Sequence, residues 1–180
     1  MSIFQKRELS TCGVTEPTPP RAAVCFTTSA MTRRAADWLA RLGGCRPLGI
    51  LSDRSEDVIW QCEAENVDLL LLETDFSPAA EDTKDVSARC DIAIEVRRKL
   101  PDCRVYLVCE DGYPEKLAAL EKAVELKLID GYCLGALTDR QARAWLRETA
   151  EAKNPAGNPA AAANNRKEEL QECGSESKNG

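Results

Sequence analysis

Between residues 21 and 150 the sequence alternates short apolar runs with segments of helical period. That alternation constrains the fold more than any other feature. The apolar runs are Ala22–Phe26, Leu48–Leu51, Val67–Leu72, Arg104–Cys109 and Gly131–Leu134. Each has strand length, and Val67-Asp-Leu-Leu-Leu-Leu is almost continuously apolar. A run of that kind suits a central strand covered on both faces. Between the runs, apolar residues recur every three or four positions. In 31–42 they fall at 31, 35, 38, 39 and 42, and in 115–128 at 117, 120, 124 and 128. In 139–150 they fall at 142, 145, 146 and 150, while 56–65 and 91–100 carry weaker faces. Thr138 with Gln141 three residues on has the pattern of a reciprocal helix cap. Pro101 closes the third helical segment and opens the fourth strand. Strand and helix alternating five times imply an α/β protein: one doubly wound, five-stranded parallel sheet with helices on both faces. In such sheets ligands sit beyond the carboxyl ends of the strands. The residues there are Thr27-Thr28-Ser29, Glu73-Thr74-Asp75, Cys109-Glu110-Asp111 and Gly135-Ala136.

The flanking segments differ in kind. Residues 1–20 end in a proline-rich stretch, and residues 151–180 are rich in Ala, Asn, Gly and charge. Both are expected to be disordered, with one domain over 21–150 between them. The chain has 180 residues and a net charge of −6, so it lacks the basic footprint of a nucleic-acid or anionic-membrane binder. It has no histidine, which excludes Ser-His-Asp and Cys-His catalysis and any His-ligated metal. No apolar run approaches the length of a membrane span, and the N-terminal residues lack a signal-peptide pattern. The nine cysteines are an odd number. The two closest, Cys103 and Cys109, lie six positions apart, so no CxxC exists. Reduced cysteine used as a small buried hydrophobe, in a cytoplasmic protein, is the expectation.

The third unit resembles the receiver domain of bacterial response regulators. Val67-Asp-Leu-Leu-Leu-Leu-Glu73 is similar to the receiver strand that ends in the phosphate-accepting aspartate. Leu100-Pro-Asp-Cys-Arg-Val-Tyr-Leu-Val108 resembles the entry to the fourth receiver strand, and Asp130-Gly-Tyr-Cys-Leu134 the fifth. The resemblance spans 21–150 and implies a receiver or flavodoxin-like sheet of order 2-1-3-4-5. It also implies a chemistry: an aspartate that takes a phosphoryl group, an acidic pair that holds magnesium, and a hydroxyl and a lysine that contact the phosphoryl oxygens. This chain departs from that pattern at nearly every place. The acidic pair falls on Thr27 and Thr28, the acceptor on Glu73, the hydroxyl on Cys109 and the lysine on Gly135. Asp75 is an alternative acceptor if the register shifts by two. What the resemblance implies is therefore a degenerate receiver. It would be a non-enzymatic, cofactor-free regulatory module of two-component type that acts by protein contacts.

In the family the partner face uses the fourth helix, fifth strand and fifth helix. Here that face would draw on 115–130, Tyr132 and 138–147, for a protein partner or a second copy. Tyr132 falls where receivers keep a switch aromatic, and it reads equally as an ordinary strand residue. Glu73 either mimics a phosphorylated state or is an exposed carboxylate at a strand end.

An alternative reading is a flavodoxin-like protein binding FMN, with the phosphate near Thr27–Thr32. That segment offers hydroxyls at 27, 29 and 32 at a helix N-terminus. Phe76 and Tyr113 would flank the flavin ring, whereas Ala30 stands where such a loop wants glycine. In the plainer reading, Thr28 or Ser29 caps the first helix. Cys109 as a thiol nucleophile is disfavoured by its acidic neighbours Glu110 and Asp111. Arg33-Arg34 and Arg97-Arg98-Lys99 read as solvated helix faces, and Trp38 and Trp145 as core-compatible. Trp60, if exposed, marks a contact patch.

Overall fold

A computed structural model of the chain describes residues 18–52, 54–74, 84–109 and 114–153. The described residues form five strands and five helices in strict alternation. They are β1 (Arg21–Cys25), α1 (Ser29–Leu42), β2 (Arg46–Gly49), α2 (Ser55–Glu65) and β3 (Leu69–Glu73). Then follow α3 (Lys84–Lys99), β4 (Arg104–Cys109), α4 (Pro114–Glu125), β5 (Gly131–Leu134) and α5 (Asp139–Lys153). All pairings are parallel, in the order β2-β1-β3-β4-β5. This is the receiver and flavodoxin-like sheet that the sequence implies.

The leucine run of β3 explains its central place. Side chains alternate across the sheet. Leu70 and Leu72 join Ala23, Val105 and Leu107 in a core under α2, α3 and α4. Leu69 and Leu71 join Val24 and Tyr106 in a second core under α1 and α5. Both faces of the strand are thus apolar because both are covered.

The termini of the helices follow from local chemistry. The Thr28 hydroxyl accepts from the Met31 N–H at 3.2 Å, and α1 ends at Gly43 with φ 74°. At α5 the reciprocal cap forms as expected. Thr138 N–H donates to Gln141 Oε1 at 3.2 Å, and Gln141 N–H to Thr138 Oγ1 at 3.4 Å. Pro114 begins α4, where its missing N–H would have had no helical partner anyway.

Several boundaries differ from expectation. β2 lies two residues earlier than Leu48–Leu51, because Arg46 N–H is captured by the Pro20 carbonyl at 2.8 Å. From there the strand pairs Arg46 with Arg21 and leaves Leu51 outside, 44% exposed. α3 begins at Lys84, with Val86 and Cys90 buried ahead of the expected start at 91. α5 continues to Lys153, past the expected domain end at 150. The remainder of both expected disordered ends, 1–17 and 154–180, lies outside the described residues.

Arg97 is also more than a solvated basic residue. Its guanidinium donates to the Lys127 carbonyl at 2.6 Å and pairs with Asp130. Asp130 in turn accepts from Val105 N–H at 2.7 Å, tying α3 to the entry of β5. Arg98 and Lys99 make surface pairs with Glu95 and Glu63.

Trp38 and Trp145 pack against the second core, and Trp145 stacks on Tyr106 with ring centroids 4.2 Å apart. None of the seven described cysteines is in a disulfide, and six of them are buried. Cysteine acts here as a core residue.

Candidate functional site

The carboxyl ends of β1, β3, β4 and β5 meet at one end of the sheet, and Glu73 is their centre. The side chain lies at the end of β3 and is only 4% exposed. The expectation of an exposed strand-end carboxylate is therefore corrected. Thr27 N–H donates to Glu73 Oε2 at 2.8 Å, so the β1–α1 loop folds over the carboxylate and covers it. A carboxylate accepts such an amide bond strongly, which offsets part of its cost of burial.

The loop is itself held by Thr32, whose hydroxyl the flavodoxin-like alternative assigns to a phosphate. Thr32, on the first turn of α1, is fully buried. Its hydroxyl accepts from Phe26 N–H at 3.0 Å and donates to the Phe26 carbonyl at 3.2 Å. The signal available in the sequence was a hydroxyl at a core-facing helical position, which needs a polar partner. T32V removes both bonds and leaves two backbone groups without them. It is expected to lower stability by about 1–3 kcal/mol in urea unfolding. An unchanged midpoint would mean that the pair contributes nothing net.

The other expected site residues can be placed in turn. Thr28 caps α1. Cys109 is buried at the end of β4, and its carbonyl accepts from Gly135 N–H at 2.8 Å. Gly135 has φ 72°, a left-handed conformation that a lysine would adopt only with strain. Tyr132 is half-buried on β5, paired with Leu107 and packed against the first core. Asp75, Phe76, Glu110, Asp111 and Tyr113 lie outside the described residues.

The donor set of the described residues does not fit a magnesium-assisted phosphoryl site. The described residues supply one carboxylate there, already bound to an amide, in place of an acidic cluster. They supply a glycine in place of a lysine. Among the described residues no group of three or more acidic, cysteine or histidine side chains could hold a metal. The Thr27–Thr32 segment also fits a flavin phosphate poorly, since the Thr32 hydroxyl is turned inward onto Phe26 and Thr28 serves the helix cap.

Beside Glu73 opens a pocket of about 430 Å³. Phe26, Met31, Trp38, Val108 and Leu137 line it, together with Gly135 and Ala136. Trp38 Nε1–H donates to Asp139 Oδ1 at 2.8 Å, which fixes the indole between α1 and α5. Arg34, read from sequence as a solvated residue, is exposed and also lines this pocket.

No family model matches the chain, and no curated protein matches it in sequence. Solved structures do. A response regulator receiver domain protein from Clostridium thermocellum matches with a TM-score of 0.56 at 14% identity, covering 75% of this chain and 97% of that one. A DNA-binding response regulator of the LuxR family from Staphylococcus aureus matches at 0.54 and 12% identity, covering 73% and 98%. The adenylate cyclase from Rhodopirellula baltica matches at 0.56 and 10% identity, covering 85% and 97%. The chain therefore has the fold of receiver domains. A match of equal quality to a structure described as a cyclase means that the fold alone assigns no activity.

Proposed function

We propose that this protein is a regulatory signal-transduction module built on a receiver fold, acting by protein contacts and without phosphorylation. The observation that carries this reading is Glu73, buried and bound to Thr27 N–H where receivers expose an aspartate. Thr27, Thr28, Cys109 and Gly135 replace the acidic pair, the hydroxyl and the lysine. Without them, charge on a transferring phosphoryl group would go largely unstabilised.

The partner face is the fourth helix, fifth strand and fifth helix, for another protein or a second copy. Leu126 just past α4 and Leu134 on β5 support it, exposed by 57% and 40%. Trp60 on α2 is 66% exposed and supports a second contact patch. No described helix is long and apolar enough to cross a membrane. We place the protein in the cytoplasm, with no catalysis and no obligatory cofactor.

Native mass spectrometry before and after incubation with acetyl phosphate and magnesium tests the reading. The expected result is an unchanged mass. A phosphoryl-sized increase, lost in E73Q or D75N, would overturn it. A flavin-sized adduct in the untreated protein would favour the flavodoxin-like alternative instead.

A further inference from the structure

We infer that the pocket beside Glu73 is a binding site for a small apolar amine of arylalkyl type. Its volume of about 430 Å³ lies within the range of small-molecule sites, roughly 300–1,000 Å³. Its composition is also that of such a site: aromatic and aliphatic walls with few polar groups, of which Glu73 and the Trp38 indole are each held by a hydrogen bond. Phe26 and Trp38 supply the aromatic surface, and Trp38 is held in orientation by Asp139.

The class of ligand follows from Glu73. An ionised carboxylate only accepts hydrogen bonds, and its two oxygens have about four acceptor positions. Thr27 N–H occupies one position on Oε2. A ligand that completes the site must therefore bring donors, and a positively charged donor gives the stronger bond. An ammonium group on a short chain meets that need, while its ring rests against Phe26 and Trp38. A ring face also attracts a nearby cation, which adds to the same preference. A carboxylate ligand would face Glu73 across an apolar pocket, where like charges repel strongly. Arg34 lines the pocket but is itself exposed, so its charge is screened by water. The site goes beyond the protein-contact reading and does not depend on it.

The probe is phenethylamine, with phenethyl alcohol and phenylpropionate as its neutral and anionic counterparts. Binding is followed by saturation-transfer NMR on the full chain and quantified by calorimetry. Phenethylamine is expected to bind at one site, at least about tenfold more tightly than either counterpart, a difference of about 1.4 kcal/mol. E73Q is expected to erase that preference. A136W, which fills the pocket mouth from an exposed position, is expected to abolish binding while leaving the circular dichroism spectrum unchanged. Absence of phenethylamine binding to the native chain would overturn the inference. So would equal binding of the acid or the alcohol, or retention of the amine preference in E73Q. Phosphorylation in the acetyl phosphate experiment bears on the protein-contact reading alone, so the two can fail separately.

Discussion

Leu70→Ala is expected to destabilise the protein by about 2–5 kcal/mol, the range for truncating a leucine in a closed core. Leu70 has no exposed surface, sits mid-way along the central strand, and pairs with Ala23 on one side and Val105 on the other. The cavity left behind would be walled by the sheet and by the helices below it. Neither can move inward without breaking ladder hydrogen bonds, so little of the lost contact is recovered. Leu134→Ala is the control. That leucine lies on the edge strand, 40% exposed, and its truncation is expected to stay within about 0.5 kcal/mol. Urea unfolding of the two variants separates the cases. Comparable losses at both positions would mean that β5 is covered in solution. A small loss at Leu70 would contradict the central position of β3.

The fold was legible because its strongest signals were long and redundant. The leucines of β3 could pack only as a doubly covered strand, and the helical faces of α1, α4 and α5 repeat over three turns. The failures occurred where a different interaction decides. At β2 apolarity favoured Leu48–Leu51, but pairing is set by backbone amides, and Arg46 N–H had a carbonyl waiting at Pro20. At the start of α3, Lys84, Asp85, Ser87 and Arg89 hid the two buried positions, Val86 and Cys90, that define its inner face. The candidate site shows the same limit. Chain order placed Glu73 at a strand end, but its burial depends on a loop more than forty residues earlier folding over it. That loop is fixed by the Thr32 hydroxyl, whose partners are backbone groups and so leave no mark in residue type. The pocket draws its lining from the β1 and α1 region, β3, β4 and the residues after β5. Its members are adjacent only once the sheet has formed.

The protein is expected to lose stability in alkali well beyond what its surface ion pairs account for. Burial pushes the Cys62 thiol from 9.0 up to about 12, with Cys25 nearby adding to the effect. Burial, with Cys109 nearby, raises Cys133 to about 11. Burial also raises Cys103, with lesser contributions led by Cys62, and raises Tyr106, which is bonded to Glu148 as well. In each case the folded state holds a proton that the unfolded state gives up earlier. The stabilisation is thus fully present below about pH 9 and is lost as pH rises through about 11 to 12. One pKa unit corresponds to about 1.4 kcal/mol, so the combined loss is on the order of several kcal/mol. The pairs Lys99–Glu63 and Lys153–Asp68 are partly exposed, and such pairs contribute only about 0–1 kcal/mol each. Urea unfolding under reducing conditions, at steps from about pH 8 to about pH 10.5, measures the slope directly. Cys62→Ala isolates the thiol term. The substitution shifts the whole curve by its own packing cost, which pH does not change, and removes one contribution to the slope. A shallower alkaline slope in C62A is the expected result. Parallel slopes for C62A and the native chain would show that Cys62 titrates alike in both states and reaches water without unfolding.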